Sequence, residues 1–254
     1  MRKVGLVSIT TELELVKLKI IGKIVADCLR EMSRALQPGM STFELDEIGR
    51  AFLEKHGARS APKAVYKFPG TTCISLNHEV AHGIPSKTKI IQMGDLINID
   101  VSAEKDGFFG DTGGSFIVGE GTLELQKLCA ATKRALDTAV KSVRAGLPLN
   151  TIGKAVESVA KEEGFTIIRN LGSHGVGKSL HEAPEFIAGY YDPNDKRILE
   201  ENMVITIEPF LSTGATWVEQ DADGWTLKTA KKFFSAQYEH SLVITKDEAI
   251  ILTA

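Results

Sequence analysis

The order of apolar periodicities in this chain occurs twice, and that repetition narrows the possible folds more than any single motif. From Glu12 to Leu36 the apolar residues Leu15, Leu18, Ile21, Val25, Cys28, Met32 and Leu36 recur at three- and four-residue spacing, and Pro38-Gly39 ends the run. This is the pattern of an amphipathic helix. A second helix is expected after Ser41: Ser41 and Glu44 form a capping box, Leu45, Ile48 and Phe52 supply the stripe, and Gly57 supplies the stop. Strand-like sequence fills about Cys73 to Val118. The series then restarts. Leu125, Leu128, Leu136, Val140 and Val143 mark one helix ending near Gly146; Ile152, Val156 and Val159 mark another, between a cap at Asn150 and Gly164; strand and loop follow from Thr166. Helix, helix, strands, repeated once, reads as an internal duplication.

Composition limits the function classes. A chain of 254 residues with 43% hydrophobic and 25% charged residues has the makeup of an ordinary globular enzyme or binding protein. A net charge of −3 argues against non-specific nucleic-acid or membrane binding as its main business. Cys28, Cys73 and Cys129 are widely spaced and odd in number, which suggests a reducing compartment and no disulfide framework. The opening MRKVGLVSITTELELVK is interrupted by Glu12, Glu14 and Lys17, too early for a signal peptide. No stretch approaches the roughly 20 apolar residues of a membrane span. A cytoplasmic location is expected, with no membrane and no specific DNA among the partners.

Within the strand-like sequence, LINIDVSAEKDGFFGDT places Asp100 and Asp111 in two apolar arms around an Asp106-Gly107 turn signal. Aspartate is poorly accepted in strands and costly to bury unpaired. Opposed residues in a hairpin have numbers with a constant total, and the Asp106-Gly107 turn leaves Asp100 and Asp111 as diagonal neighbours on one face. They would be roughly 7–8 Å apart, or about 5 Å with a slip or bulge. The second half repeats the plan: an Asp223-Gly224 turn sets Glu208, in the strand-like MVITIEPF, opposite Glu239. Each half also has an H-x-x-P before its acidic strand, His82 to Pro85 and His181 to Pro184. Four facing carboxylates repel unless cations lie among them, so a two-metal centre with ions roughly 3.5–4 Å apart accounts for all four.

His174 and His181 lie seven residues apart, a spacing that puts them on opposite faces of a straight strand. Gly175 and Gly177 let the chain turn between them, so both can reach one site. His56, His78 and His240 have no comparable setting and are expected to be surface or structural residues.

With these residues assembled, the stretches CISLNHEVAHGIP, GDLINIDV, DGFFGDT, SHGVGKSLHEAP, ITIEP and SAQYEH resemble the methionine aminopeptidases, specifically the compact bacterial type. The resemblance implies an α+β pita-bread fold, a curved antiparallel sheet covered by two helix pairs. It also implies a single catalytic unit over residues 1–254 with pseudo-symmetric halves of about 1–119 and 120–254. By resemblance the ligands of two divalent ions (Co, Mn, Fe or Zn) are Asp100, Asp111, His174, Glu208 and Glu239, with Asp111 and Glu239 bridging. Glu208 would also move a proton, and His82 and His181 would contact substrate and transition state. Phe68, Cys73 and Trp225 match substrate-pocket positions. Ser173 stands where the family usually has glycine, Pro62 and Val65 stand where pocket residues often lie, and the segment after His181 differs from the common pattern.

The implied function is removal of the N-terminal methionine from nascent proteins with a small second residue. Alternatives are a paralogue of altered specificity or an Xaa-Pro-type aminopeptidase. The latter relatives usually carry a long additional amino-terminal domain, and only about 60 residues precede the site region here. A non-catalytic binding protein of this fold would typically have lost metal ligands, whereas all five positions are filled. The partners expected are peptide and nascent-chain N-termini, with a monomeric enzyme. Lys228, Lys231 and Lys232, just past the Asp223-Gly224 turn, are candidates for contact with ribosomal RNA.

Overall fold

The computed structural model describes residues 9–254; the first eight positions of the stretch read above for a signal peptide lie outside the described residues. Among the described residues there are five helices: α1 (Glu12–Ala35), α2 (Thr42–Lys55), α3 (Ala61–Tyr66), α4 (Leu123–Ser142) and α5 (Thr151–Glu163). Both α1 and α2 start on complete capping boxes, Thr11 with Glu14 and Ser41 with Glu44. Such caps contribute about 1 kcal/mol each. Burial contributes more, about 1.5–3 kcal/mol for each fully buried aliphatic side chain, so the apolar stripes determine where the helices lie.

The strand Leu96–Lys105 is central to the first sheet. Arg59–Ser60 and Cys73–Leu76 pair along one edge and Phe108–Ile117 along the other, all antiparallel. Period-two alternation sends Ile97, Ile99 and Val101 into a core shared with Leu18, Ile21 and Val25 of α1. The opposite face carries Asn98, Asp100 and Ser102, across from Ser115, Gly113 and Asp111. Asp106 and Gly107 have φ of +53° and +83°, as a two-residue type I′ turn requires. The register is continuous from Lys105–Phe108 to Leu96–Ile117. The two aspartates are therefore diagonal neighbours on one face, with no bulge between them.

In the second half a five-stranded sheet runs Ile250–Ile251, His240–Val243, Val204–Ile207, Gly172–Gly175, Glu182–Ala188. Leu128 and Leu136 of α4 and Val156 of α5 pack on Ile205, Ile207 and Leu242. Ile207 pairs with His240 and Phe210 with Gln237, a register that brackets Glu208 against Glu239. Glu208-Pro209 interrupts the ladder between the two sheets. The hairpin tip, Glu219–Gln220 with Leu227–Lys228, joins Glu79–Ala81 of the first half. No helix among the described residues is long and apolar enough to cross a membrane.

Three local expectations need correction. The sequence signals no helix between Gly57 and Cys73, yet α3 forms there on a Ser60 cap with proline in its first turn; six residues are too few for periodicity to register. Asn150 precedes α5 without capping it, because its amide donates to the carbonyls of Asp192 and Asp195. The Asp223-Gly224 turn is wider than two residues: Asp221 N–H donates to the Thr226 carbonyl, and the Asp223 carboxylate accepts from Trp225 N–H, Thr226 N–H and Thr226 Oγ1. The loop widens symmetrically about the same centre, so the register survives.

Candidate metal centre and substrate pocket

The polar face of the first hairpin meets the second-half strands in the interior. Asp111, His174 and Glu239 are each at most 6% exposed, and each offers a ligand atom within 4.8 Å of the others. His174 Nε2 is 3.7 Å from Asp111 Oδ2 and 3.5 Å from Glu208 Oε1. Asp100 lines the same cavity as Asp111, His174, Glu208 and Glu239. All five residues expected as ligands thus converge, two from the first hairpin and three from the second half. His181 lies against His174, with ring centroids 4.0 Å apart and the rings tilted by 32°. Gly177, at φ of +147°, makes the turn that brings the second histidine back.

This donor set fits a cation. Asp111 Oδ1 and Glu239 Oε1 are buried with no hydrogen-bond partner among the described residues, a large penalty for carboxylates left uncompensated. Nδ1 of His174 lies 2.9 Å from the Gly175 carbonyl oxygen; a carbonyl only accepts, so the proton is on Nδ1 and the Nε2 lone pair faces the acids. A lone pair aimed at carboxylates is repulsive unless positive charge lies between them, and a carbonyl-anchored imidazole is the usual arrangement of a metal-ligating histidine. Oxygen-rich ligation with one imidazole suits first-row divalent ions.

The electrostatics of the metal-free centre agree. Burial pushes Asp100 up to about 7. Burial, with repulsion from neighbouring acids, raises Asp111, Glu208 and Glu239 well above the ordinary carboxylate range. Burial holds His174 down to about 3, so its ring stays neutral. Acids that bind protons more tightly when folded add stability that is complete below their unfolded values of about 4 and is lost as pH rises through the folded values. Chelated protein should therefore lose thermal stability progressively from about pH 4 through 7 and above, whereas metal-loaded protein should not. Thermal unfolding of both forms across this range checks it, with the gap in Tm expected to widen as pH rises.

Gln237, Thr206 and Ser173 orient the acids, a role the sequence assigned to none of them. Gln237 receives from Asn98 Nδ2 at 2.8 Å and donates to Glu239 Oε2 at 3.0 Å, leaving Oε1 free to face the centre. Thr206 Oγ1 donates to Glu208 Oε1 and accepts from His174 N–H. Ser173 Oγ accepts from Glu208 N–H at 2.9 Å, a contact glycine could not make. SAQYEH and the Ser173 departure were visible in the sequence; which partner each side chain meets was not.

A cavity of about 420 Å³ opens beside the acids, and its lining includes His82, His181, Phe68, Cys73 and Trp225. Phe68 and Trp225 meet edge to face at 5.2 Å, closing a wall from both halves. Cys73 pairs directly with Asp100, so the wall and the centre share a register. Burial raises the Cys73 thiol well above its ordinary value. His82 sits at φ of +55°, an unusual backbone state for histidine, on the cavity rim. Pro62 lines the cavity but Val65 is 45% exposed and outside it; Tyr66 takes part instead.

The remaining histidines lie elsewhere: His56 stacks on Phe52, His78 lines a separate surface groove, and His240 Nδ1 meets Thr253 Oγ1. Lys228 pairs with Asp221 at 2.6 Å, and Lys232 lies over the Phe233 ring.

A buried cluster of four acids and an imidazole beneath an apolar pocket defines a metal-dependent hydrolytic site. The model of metallopeptidase family M24 matches residues 16–246. Methionine aminopeptidase 2 of Bacillus subtilis (strain 168) is 53% identical over 245 residues, 96% of this chain and 98% of that protein. A methionine aminopeptidase of Staphylococcus epidermidis is 48% identical over 246 residues, again covering 96% of this chain and 98% of its own. The crystal structure of the methionine aminopeptidase from Thermotoga maritima superposes with a TM-score of 0.93 at 34% identity, over 97% of this chain and 99% of that one. The chain belongs to metallopeptidase family M24, within its methionine aminopeptidases, and has their pita-bread fold.

Proposed function

We propose that this protein removes the N-terminal methionine from peptides and nascent chains whose second residue is small. The observation that carries this reading is the pair of orphaned carboxylate oxygens, Asp111 Oδ1 and Glu239 Oε1, buried at the floor of an apolar cavity. Asp100, Asp111, His174, Glu208 and Glu239 would hold two divalent ions, Co²⁺, Mn²⁺, Fe²⁺ or Zn²⁺, with Asp111 and Glu239 shared between them. Bound there, such ions supply Lewis-acid polarisation of a carbonyl and acidified water. Glu208, raised by burial and held by Thr206, is suited to accept a proton and return it to the leaving amine. His82 and His181 face the substrate, His181 as donor to the developing oxyanion. An unbranched thioether fits a wall of Phe68, Cys73 and Trp225, where sulfur–aromatic contacts contribute about 0.3–1.5 kcal/mol each.

The test is hydrolysis of Met-Ala-Ser against Ala-Pro peptides, with each metal added back to chelated protein. Cleavage of the methionyl peptide alone is the expected result. Preference for Ala-Pro would replace this reading with the Xaa-Pro one, and no cleavage with any metal would remove both.

A further inference from the structure

Tyr66 is the last residue of α3, and its hydroxyl oxygen lies 2.7 Å from His181 Nδ1, 115 positions along the chain. The rings are 5.7 Å apart and tilted by 57°. The helix that delivers Tyr66 is anchored at both ends: Ser60 Oγ accepts from Lys63 N–H, and Lys67, at φ of +61°, donates back to the Lys63 carbonyl. Tyr66 as a whole is 44% exposed.

A neutral imidazole carries one proton, and the partner at one nitrogen decides what the other can do. In the neighbouring ring a carbonyl accepts from Nδ1–H and so leaves Nε2 bare. His181 has a phenol at Nδ1, and a phenol can donate. When it does, the imidazole proton must be on Nε2, the arrangement needed for His181 to donate to an oxyanion; the opposite tautomer would present a second bare lone pair beside a cluster of acids.

We propose that Tyr66 is a positioning residue, whose hydroxyl donates to Nδ1 of His181 and holds that ring with its proton on Nε2. This rests on the role assigned to His181 above.

Removal of the hydroxyl in Tyr66→Phe should lower kcat for Met-Ala-Ser about tenfold, the factor that corresponds to one ordinary hydrogen bond, with KM and metal content unchanged. In a His181→Ala background the same substitution should cost nothing further. Nitrogen-15 NMR of histidine-labelled, metal-free protein should show His181 protonated on Nε2, and a mixture of tautomers in Tyr66→Phe. An equal loss in both backgrounds, a raised KM with kcat intact, no kinetic effect at all, or a proton on Nδ1 in the unmodified protein would each overturn the proposal. Failure of the unmodified protein to cleave Met-Ala-Ser would instead sink the proposed function, and the NMR measurement would still decide the tautomer.

Discussion

Asp111→Asn should abolish peptidase activity and lower metal content while stabilising the metal-free protein. The substitution keeps shape and removes one charge from four crowded acids. With metal absent, those acids repel and are desolvated, so loss of one charge relieves the fold. With metal present, the same loss removes a carboxylate proposed to be shared between two ions. The activity loss should exceed the factor of about 10²–10³ that follows removal of a single transition-state donor. Metal analysis, steady-state kinetics and thermal unfolding of chelated samples test all three effects. Glu239→Gln should behave similarly, and His240→Ala, whose ring turns away to Thr253, should keep its metal. Full activity with unchanged metal stoichiometry would sink the dinuclear reading, and a chelated variant less stable than chelated unmodified protein would sink the account of repulsion.

The opposite signs expected with and without metal follow from how the acids are arranged, and that arrangement was legible early. The Asp106-Gly107 turn fixes a register in which Asp100 and Asp111 share a face, because period two and a two-residue turn leave no freedom. The second register was legible even though its turn was wrong: widening the loop to Asp221–Thr226 takes residues equally from both arms, so Phe210–Gln237 and Ile207–His240 pair as if the turn were tight. What could not be read is long-range. Pairing of Glu79–Ala81 with Leu227–Lys228 closes the pocket wall across the two halves, and no local pattern encodes it. Tyr66 was hidden for the same reason, since a six-residue helix leaves no periodic trace and its partner is 115 positions away. Gln237 lay in a quoted motif, but its service to Glu239 depends on Asn98 in the other half.

His181→Ala should keep its metal and lose about 10²–10³ in kcat, the cost of one preorganised donor, whereas His174→Ala should lose metal first. The geometry separates the roles of the two rings although their centroids are 4.0 Å apart. His174 has its Nδ1 proton committed to the Gly175 carbonyl and its Nε2 lone pair within 3.7 Å of Asp111 and 3.5 Å of Glu208, which is a ligand's tautomer. His181 is held at Nδ1 by Tyr66 and has its other nitrogen available to donate. Added metal should therefore restore part of the activity of His174→Ala by mass action and none of that of His181→Ala. The substitutions also differ in the pH response of the metal-loaded fold: weak loading in His174→Ala should bring back the loss of Tm with rising pH that is expected of chelated protein, and His181→Ala should not. Metal analysis and kinetics on both variants provide the measurement. Metal loss in His181→Ala equal to that in His174→Ala would make the second histidine a ligand, and the oxyanion role would pass to another donor.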